Sequence, residues 1–191
     1  MSPSDAEYAA LRQTIATRGT IRTALVPLVI LGWSLLLASA GTATGAWAGL
    51  PSLLVLAAGF EAVHALHVGV ERIGRYLQVF YEHEPGGPRW ETTAMAVGPA
   101  LPGGGIDPLF TVVFVGAVLL NLAPTAVGLA RLAVGLPGAA LAVSGLAVLS
   151  VLAHAGVLIR IARARRAAAR QRAVELESYR ALRARGQQTT A

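Results

Sequence analysis

Cysteine is absent from this 191-residue chain, and lysine is absent as well, so that all sixteen basic side chains are arginines. Without cysteine the chain has no disulfide, thiol nucleophile, iron–sulfur cluster or thiolate metal site. Charged residues make up only 14% of the chain, whereas 54% of its residues are hydrophobic and the mean hydropathy is +0.58. This composition is too apolar for an ordinary soluble domain and predicts an integral membrane protein.

The formal net charge is +6 and the sequence pI is near 11.0. A basic chain can bind nucleic acid, but here the arginines flank apolar segments, where they set topology and contact anionic lipid headgroups. We therefore expect membrane lipid, and not nucleic acid, as a partner. The all-arginine usage, alongside many alanines and glycines, indicates a GC-rich bacterial genome as the source.

The chain divides into three parts by composition. Residues 1–22 predict an amphipathic helix on the cytoplasmic membrane surface that ends at Gly19. Residues 23–159 predict a domain of four transmembrane helices, since about 20 apolar residues cross the hydrocarbon core. The predicted crossings cover residues 23–40, 51–71, 108–130 and 137–159. Residues 160–191 predict a basic cytoplasmic helix or tail.

Proline marks the start of three of these crossings. Pro51, Pro108 and Pro137 suit the first position of a helix, where the missing N–H costs nothing. Asp107 precedes Pro108 and is a typical N-cap residue. The small, glycine-rich segment 41–49 predicts the turn before Pro51.

The second helix can continue without a proline to about Glu84, so its last residues should project into the cytoplasm. The cytoplasmic loop 85–107 is interrupted by glycine and proline around one short segment, Arg89–Val97. Asn121 and Pro124 predict a kink in the third crossing.

The distribution of arginine predicts the orientation. All arginines except Arg131 lie in the N-terminal arm, the loop 85–107 or its flanking helix, and the C-terminal tail. Because cytoplasmic segments carry the excess of positive charge, both termini should be cytoplasmic, in a bacterial inner membrane. We expect an all-α, up-down bundle of four helices with a long second helix and an arginine-rich C-terminal helix.

A polar stripe on the second helix holds most of the ionisable residues of the first half of the chain. On a helix its members fall within about a third of the circumference. They are Glu61, His64, His67, Glu71, Arg75, Gln78 and Glu82. A charge inside a membrane costs a few kcal/mol, so we expect Glu61 to face the bundle or a partner.

One hypothesis for the stripe is a cofactor site. His154 lies 17 residues beyond Pro137 and His67 lies 16 residues beyond Pro51, which predicts similar depths for the two imidazoles. His67 or His64 could then pair with His154 as the axial ligands of a haem b in an electron-transfer module.

Two further hypotheses use the same residues. Glu61 and His64 form a Glu-x-x-His motif, half of a carboxylate-bridged transition-metal site that a homodimer would complete. A proton or cation pathway would instead step through Glu61, His64, His67, Glu71 and Arg75.

The favoured interpretation is structural. Residues three or four apart on the stripe can pair along the same helix, as His67 with Glu71 and Glu71 with Arg75. The stripe would then serve assembly of a small membrane subunit, either as a homo-oligomer or with other membrane subunits. The sequence shows no catalytic triad, so an enzyme is the less favoured class.

Two surface features are candidates for contact with lipid or a partner. Trp90 can anchor the loop at the membrane interface. The arginines that follow the fourth crossing can contact anionic headgroups or an acidic partner. They include Arg160, Arg163, Arg165 and Arg166.

Overall fold

A computed structural model describes residues 3–40, 49–82, 87–97, 108–133 and 140–189. Within these ranges every regular element is an α-helix, which confirms the all-α prediction. The six helices are α1 (Pro3–Ala40), α2 (Leu50–Phe80), α3 (Trp90–Val97), α4 (Pro108–Leu120), α5 (Ala123–Ala133) and α6 (Ala140–Thr189).

Four helical stretches are long and apolar enough to cross a membrane. They are Asp5–Ser39, Leu50–Phe80, Thr111–Ala130 and Ser144–Gln188. The third combines α4 and α5. Four such stretches indicate a multi-pass membrane protein, as the composition predicts.

The chain forms two compact units, and α1, α2 and α6 contribute residues to both. Unit 1 contains 1–23, 64–107 and 164–191, and unit 2 contains 24–63 and 108–163. The divisions fall where each of these helices changes from apolar to charged sequence. Unit 2 therefore holds most of the apolar sequence, and unit 1 holds most of the charged residues.

The core of unit 2 is built by α1, α2, α4 and α6. Phe60 and Phe114 make an edge-to-face contact, with ring centroids 5.7 Å apart, and both side chains are buried. Leu56, one helical turn before Phe60, and Val118, one turn after Phe114, are fully buried as well. At Gly59, α1 approaches so closely that an added Cβ would lie 2.6 Å from Cγ2 of Val29. Glycine therefore sets the distance between α1 and α2 at this point.

An aromatic cluster holds the helices of unit 1 together. Tyr76 lies at its centre, with ring centroids 4.7 Å from Phe80, 5.8 Å from Tyr179 and 6.1 Å from Tyr81. Tyr8 packs on Tyr81 at 5.6 Å. These ring contacts join α1, α2 and α6 within this unit.

α1 is one continuous helix, whereas the sequence predicted that a first helix would end at Gly19. Glycine in a helix interior costs only about 1 kcal/mol relative to alanine, which packing offsets. Arg18 lies beside Gly69 of α2 and Arg22 binds His67 of α2, so contacts with α2 flank the predicted break on both sides. Pro27 also lies inside α1. Such prolines are tolerated in helices that cross membranes.

The third crossing breaks where the kink was predicted. α4 ends at Leu120, Asn121 and Leu122 form a turn, and α5 begins at Ala123. Pro124 has no N–H to donate to the carbonyl of Leu120, so the helical hydrogen bonding lapses there. The break leaves Asn121 fully buried.

The second helix ends earlier than predicted. α2 stops at Phe80, and the amide groups of Tyr81 and Glu82 both donate to the carbonyl of Leu77. The buried carboxylate of Glu82 then binds the start of α3, which occupies the short segment predicted around Trp90. The predictions for residues 41–48, 83–86, 98–107 and 134–139, including Asp107 and Pro137, lie outside the described residues.

Candidate functional site

The polar centre of unit 2 is the amide side chain of Asn121, at the break between α4 and α5. Its oxygen accepts hydrogen bonds from Trp33 Nε1 at 2.9 Å and from Ser52 Oγ at 2.6 Å. Its nitrogen donates to the carbonyl of Gly49 at 2.7 Å and to His154 Nε2 at 3.0 Å. Both acceptor positions and both donor hydrogens are therefore used.

His154 is fully buried and has partners at both ring nitrogens. Nε2 faces the amide of Asn121 at 3.0 Å, and Nδ1 lies 2.7 Å from the carbonyl oxygen of Ser150. A neutral ring with its hydrogen on Nδ1 satisfies both contacts, because it donates to the carbonyl and accepts from the amide. Ser150 in turn shares a 2.7 Å hydrogen bond with Thr125.

These contacts bear on the haem hypothesis. An axial ligand needs a free ring nitrogen, and in His154 the amide of Asn121 occupies Nε2 while the carbonyl of Ser150 occupies Nδ1. His67 has a different set of neighbours, in unit 1. The two imidazoles thus have different hydrogen-bond partners, each within its own unit.

Glu61 pairs with an arginine of α6, and the sequence did not predict this partner. Arg160 Nε lies 2.7 Å from one carboxylate oxygen and Nη2 lies 2.8 Å from the other, a bidentate ion pair. The Glu61 side chain is 48% exposed in the single chain. Arg160 is the first charged residue after the apolar stretch of α6, so Glu61 lies level with the end of that stretch.

Farther along α2, His67 lies between an arginine and a glutamate. Arg22 Nη1 donates to His67 Nδ1 at 3.0 Å, while His67 Nε2 lies 3.9 Å from a Glu71 oxygen. Glu71 also accepts from Arg75 at 2.9 Å, the i,i+4 pairing that the sequence predicted. His64, at the start of unit 1, is half-buried.

Arg75 is the most buried cation among the paired residues of unit 1, with a side chain only 6% exposed. Its guanidinium binds Glu175 of α6 through Nε at 2.9 Å and Nη2 at 2.5 Å. It also binds Glu71 through Nη1, so one cation joins two carboxylates on two helices. Glu175 receives further hydrogen bonds from Arg72 and Gln171.

Two more arginines of α6 contact α2 in the same unit. Arg172 donates to both oxygens of Glu71 at 3.2 Å. Arg183 donates to the backbone carbonyl of Val79 at 2.8 Å, near the end of α2 where helix carbonyls lack intrahelical partners. Most of the polar stripe of α2, including His67, Glu71 and Arg75, therefore has partners within the chain.

α3 is held against this unit by charge-assisted hydrogen bonds. The carboxylate of Glu82 accepts the backbone amides of Glu91 at 2.7 Å and Thr92 at 2.6 Å, at the positive end of the helix dipole. Arg12 of α1 binds the Glu91 carboxylate at 2.6 Å. These three contacts fix both the position and the direction of an eight-residue helix.

The outer face of α3 carries an exposed tryptophan. Trp90 is 64% exposed and Val97, seven residues on, is 43% exposed. Helical spacing places Thr93 and Ala94 on the same side. On the other side of α3, Met95 lines a cavity with Ile15, Val70 and Gly74.

That cavity has a volume of about 120 Å³. Its polar lining consists of Glu71, Arg75, Gln78 and Glu91. Burial raises the pKa of Glu91 above its ordinary value, an effect that the Arg12 guanidinium opposes and the Glu82 carboxylate reinforces. Cofactor pockets usually have volumes of about 300–1,000 Å³, so this space fits a few water molecules.

Burial also raises the pKa of Tyr81, and the neighbouring Glu7 carboxylate, which accepts a hydrogen bond from its hydroxyl, reinforces the shift. Both shifts favour the uncharged form of a group inside unit 1. The charged groups between the helices of this unit form ion pairs, including that of Glu91 with Arg12 and that of Arg75 with Glu175.

A metal site requires several ligands in one place. Within the part of the chain that the structure describes, no three His, Asp or Glu side chains are grouped so as to hold a metal ion. Glu61 and His64 of the Glu-x-x-His motif therefore lack further ligands among these residues.

Sequence reasoning missed the Asn121 network and the long-range partners of the stripe. One signal was available for the network: Trp33, Ser52, Asn121 and His154 each interrupt an otherwise apolar run. Buried polar groups require partners, so four such residues on different helices should be expected to meet. Against known proteins, the chain matches no family model, no curated protein and no solved structure.

Proposed function

We propose that this chain is a small assembly subunit of a bacterial inner membrane, which associates with itself or with a larger membrane complex. In this proposal four crossings run up and down, and both termini lie in the cytoplasm. The distribution of arginine supports that orientation, because most of the arginines lie in unit 1, which contains both termini.

The exposed face of α3 is the assembly surface in this proposal, in place of the α2 stripe. Glu71 and Arg75 of the stripe have partners on α6, so the stripe offers little to another protein. Trp90, by contrast, is exposed on a helix that Glu82 and Arg12 hold in place. A fixed aromatic side chain binds a partner at low entropic cost, and tryptophan is enriched at the energetic centres of interfaces.

One observation carries the proposal: three charged contacts position a short helix that presents an exposed tryptophan. Such contacts add little to the apolar core, yet they preorganise the outer face of α3. The cavity beside α3, whose lining includes Glu71, Arg75 and Glu91, has a volume of about 120 Å³, which is small for a substrate.

The test is the mass of the native particle. The full chain, purified in mild detergent, should run as an oligomer or with a copurifying membrane protein, and Trp90→Ala should weaken that association at least tenfold. A fall of this size corresponds to about 1.4 kcal/mol, well within the range for an interface tryptophan.

Leu182→Ala is the matched control, since Leu182 is a large apolar side chain in the same unit and is 55% exposed. It should leave the association unchanged. A wild-type chain that is strictly monomeric and without a partner would refute the proposal. Equal weakening by both substitutions would refute the role of α3.

A further inference from the structure

Two groups of arginines on the part of α6 in unit 1 differ in their contacts. Arg172 and Arg183 bind groups on α2. Arg165, Arg166 and Arg170 are exposed and make no hydrogen bond or ion pair with the residues that the structure describes. The second group differs from the first because no described residue of unit 1 pairs with its guanidinium groups.

Helix geometry places Arg166 and Arg170 on the outer side of α6 and Arg165 on its flank, about 80° from the face of Glu175. Arg166 precedes Glu175 by nine residues, which at about 100° per residue puts it about 180° from the face that binds Arg75. Arg170 lies only about 40° from Arg166. The two guanidinium groups therefore share the face of α6 that points away from α2 within this unit.

The position along the helix is equally specific. Arg165 and Arg166 follow Ile159, the last residue of the apolar stretch, by six and seven residues, or about 9–10 Å. Side chains on a helix lean toward its N-terminus, which here is the apolar end. Long arginine side chains can thus reach back to the level at which a membrane surface meets the helix.

We propose that Arg165, Arg166 and Arg170 form a binding surface for the phosphodiester headgroups of anionic membrane lipids. A guanidinium donates two parallel hydrogen bonds to phosphate, a geometry that lysine cannot supply. An anionic lipid adds a net negative charge, which a zwitterionic lipid lacks. The surface therefore distinguishes lipids by charge, independently of the assembly that we propose for α3.

The experiment measures lipid binding to the full chain in mild detergent by native mass spectrometry. The probes are phosphatidylglycerol and phosphatidylcholine with identical acyl chains. The wild type should retain phosphatidylglycerol preferentially. Each arginine near a membrane surface contributes about a fivefold change in binding, so the triple variant Arg165→Gln, Arg166→Gln, Arg170→Gln should lose tenfold or more.

A matched pair of single substitutions tests the position. Arg166→Gln should weaken phosphatidylglycerol binding about fivefold. Arg180→Gln removes the same charge from an exposed site on the same helix, about 21 Å farther along, beyond the range of unscreened attraction. It should leave binding unchanged. All four arginines are exposed, so circular dichroism should show the same helicity in every variant.

Equal retention of the two lipids by the wild type would overturn the proposal, and so would equal effects of Arg166→Gln and Arg180→Gln. Displacement of the lipid by inorganic phosphate at comparable concentration would overturn it too, because the surface would then prefer the free anion to the bilayer. Trp90→Ala should not change lipid selectivity, which separates this test from the test of assembly.

Discussion

The amide nitrogen of Asn121 donates to Nε2 of His154 over 3.0 Å, where a broken helix meets α6 in the apolar unit. Asn121 also binds Trp33, Ser52 and the carbonyl of Gly49, so one side chain satisfies polar groups on three other parts of unit 2. Polar groups inside a membrane are costly when unpaired. The network therefore selects one arrangement of these helices over others with similar apolar packing.

Replacement of Asn121 by alanine should destabilise the fold by about 2–3 kcal/mol, since several buried donors and acceptors lose a partner at once. Unfolding in detergent with increasing dodecyl sulfate measures this loss. Leu120→Ala is the control, because the neighbouring Leu120 side chain is 64% exposed and packs little. If the two variants unfold at the same dodecyl sulfate concentration, the network contributes nothing specific.

Gly59→Ala should also destabilise unit 2, by about 1–3 kcal/mol, because the added methyl group overlaps both methyl groups of Val29. A second substitution, Val29→Ala, removes those methyl groups and should restore part of the loss. The same unfolding assay applies. Gly116→Ala is the control, since an added Cβ there meets nothing within 4 Å. Absence of rescue would mean that the two helices are not in the contact described.

The sequence predicted the features that depend on local chemistry. Apolar length predicted the four stretches that can cross a membrane, and the missing N–H of Pro124 predicted the break at Asn121. Spacing along one helix predicted that Glu71 would pair with Arg75. Each of these follows from residues within a few positions of one another.

The contacts that the sequence did not predict join residues far apart in the chain. Glu61 pairs with Arg160, 99 residues away, and Arg75 with Glu175, 100 residues away. Helical periodicity indicates which residues share a face but not which face of another helix meets it. The predicted helix end at Gly19 was wrong for another reason. Contacts of Arg18 and Arg22 with α2 flank Gly19, and α1 stays helical through a residue that usually weakens helices.

The shifted carboxyl of Glu91 makes stability depend on pH. Burial raises its pKa above the ordinary value of 4.5, with Arg12 opposing and Glu82 adding to the shift. Between 4.5 and the raised pKa, the folded protein holds a proton that the unfolded chain has released. Its stability contribution is thus complete at low pH and is lost as the pH rises through that window.

Comparison with Glu91→Gln isolates this effect. Relative to the variant, the wild type should lose stability as the pH is raised from about 4 to about 7. The measurement is the unfolding midpoint at each pH. Glu177→Gln, which removes an exposed carboxylate of the same unit, should follow the wild type. Parallel pH profiles for the wild type and Glu91→Gln would contradict the assignment.

Glu175→Gln should weaken unit 1 by about 2 kcal/mol, because it leaves the buried guanidinium of Arg75 with only Glu71 as a charged partner. Hydrogen exchange of the amides of α2 and α6 within unit 1 measures the local loss. Glu177→Gln, two residues along the same helix and exposed, is the control. If exchange rises equally in both variants, the Arg75 pair is not what joins these helices.

Substitution of Glu61 distinguishes the assembly proposal from the hypothesis of an ion pathway. Its bidentate pair with Arg160 is about half exposed, and exposed pairs contribute only about 0–1 kcal/mol, so Glu61→Gln should leave the fold intact. The assembly proposal expects wild-type and Glu61→Gln protein to give the same proton flux in liposomes. A pathway through Glu61, His64, His67 and Glu71 requires a carboxylate that exchanges protons, so the same substitution would abolish flux.

Arg160→Gln completes the comparison, because it breaks the ion pair but keeps the carboxylate. Loss of flux in Glu61→Gln alone would therefore favour the pathway over assembly.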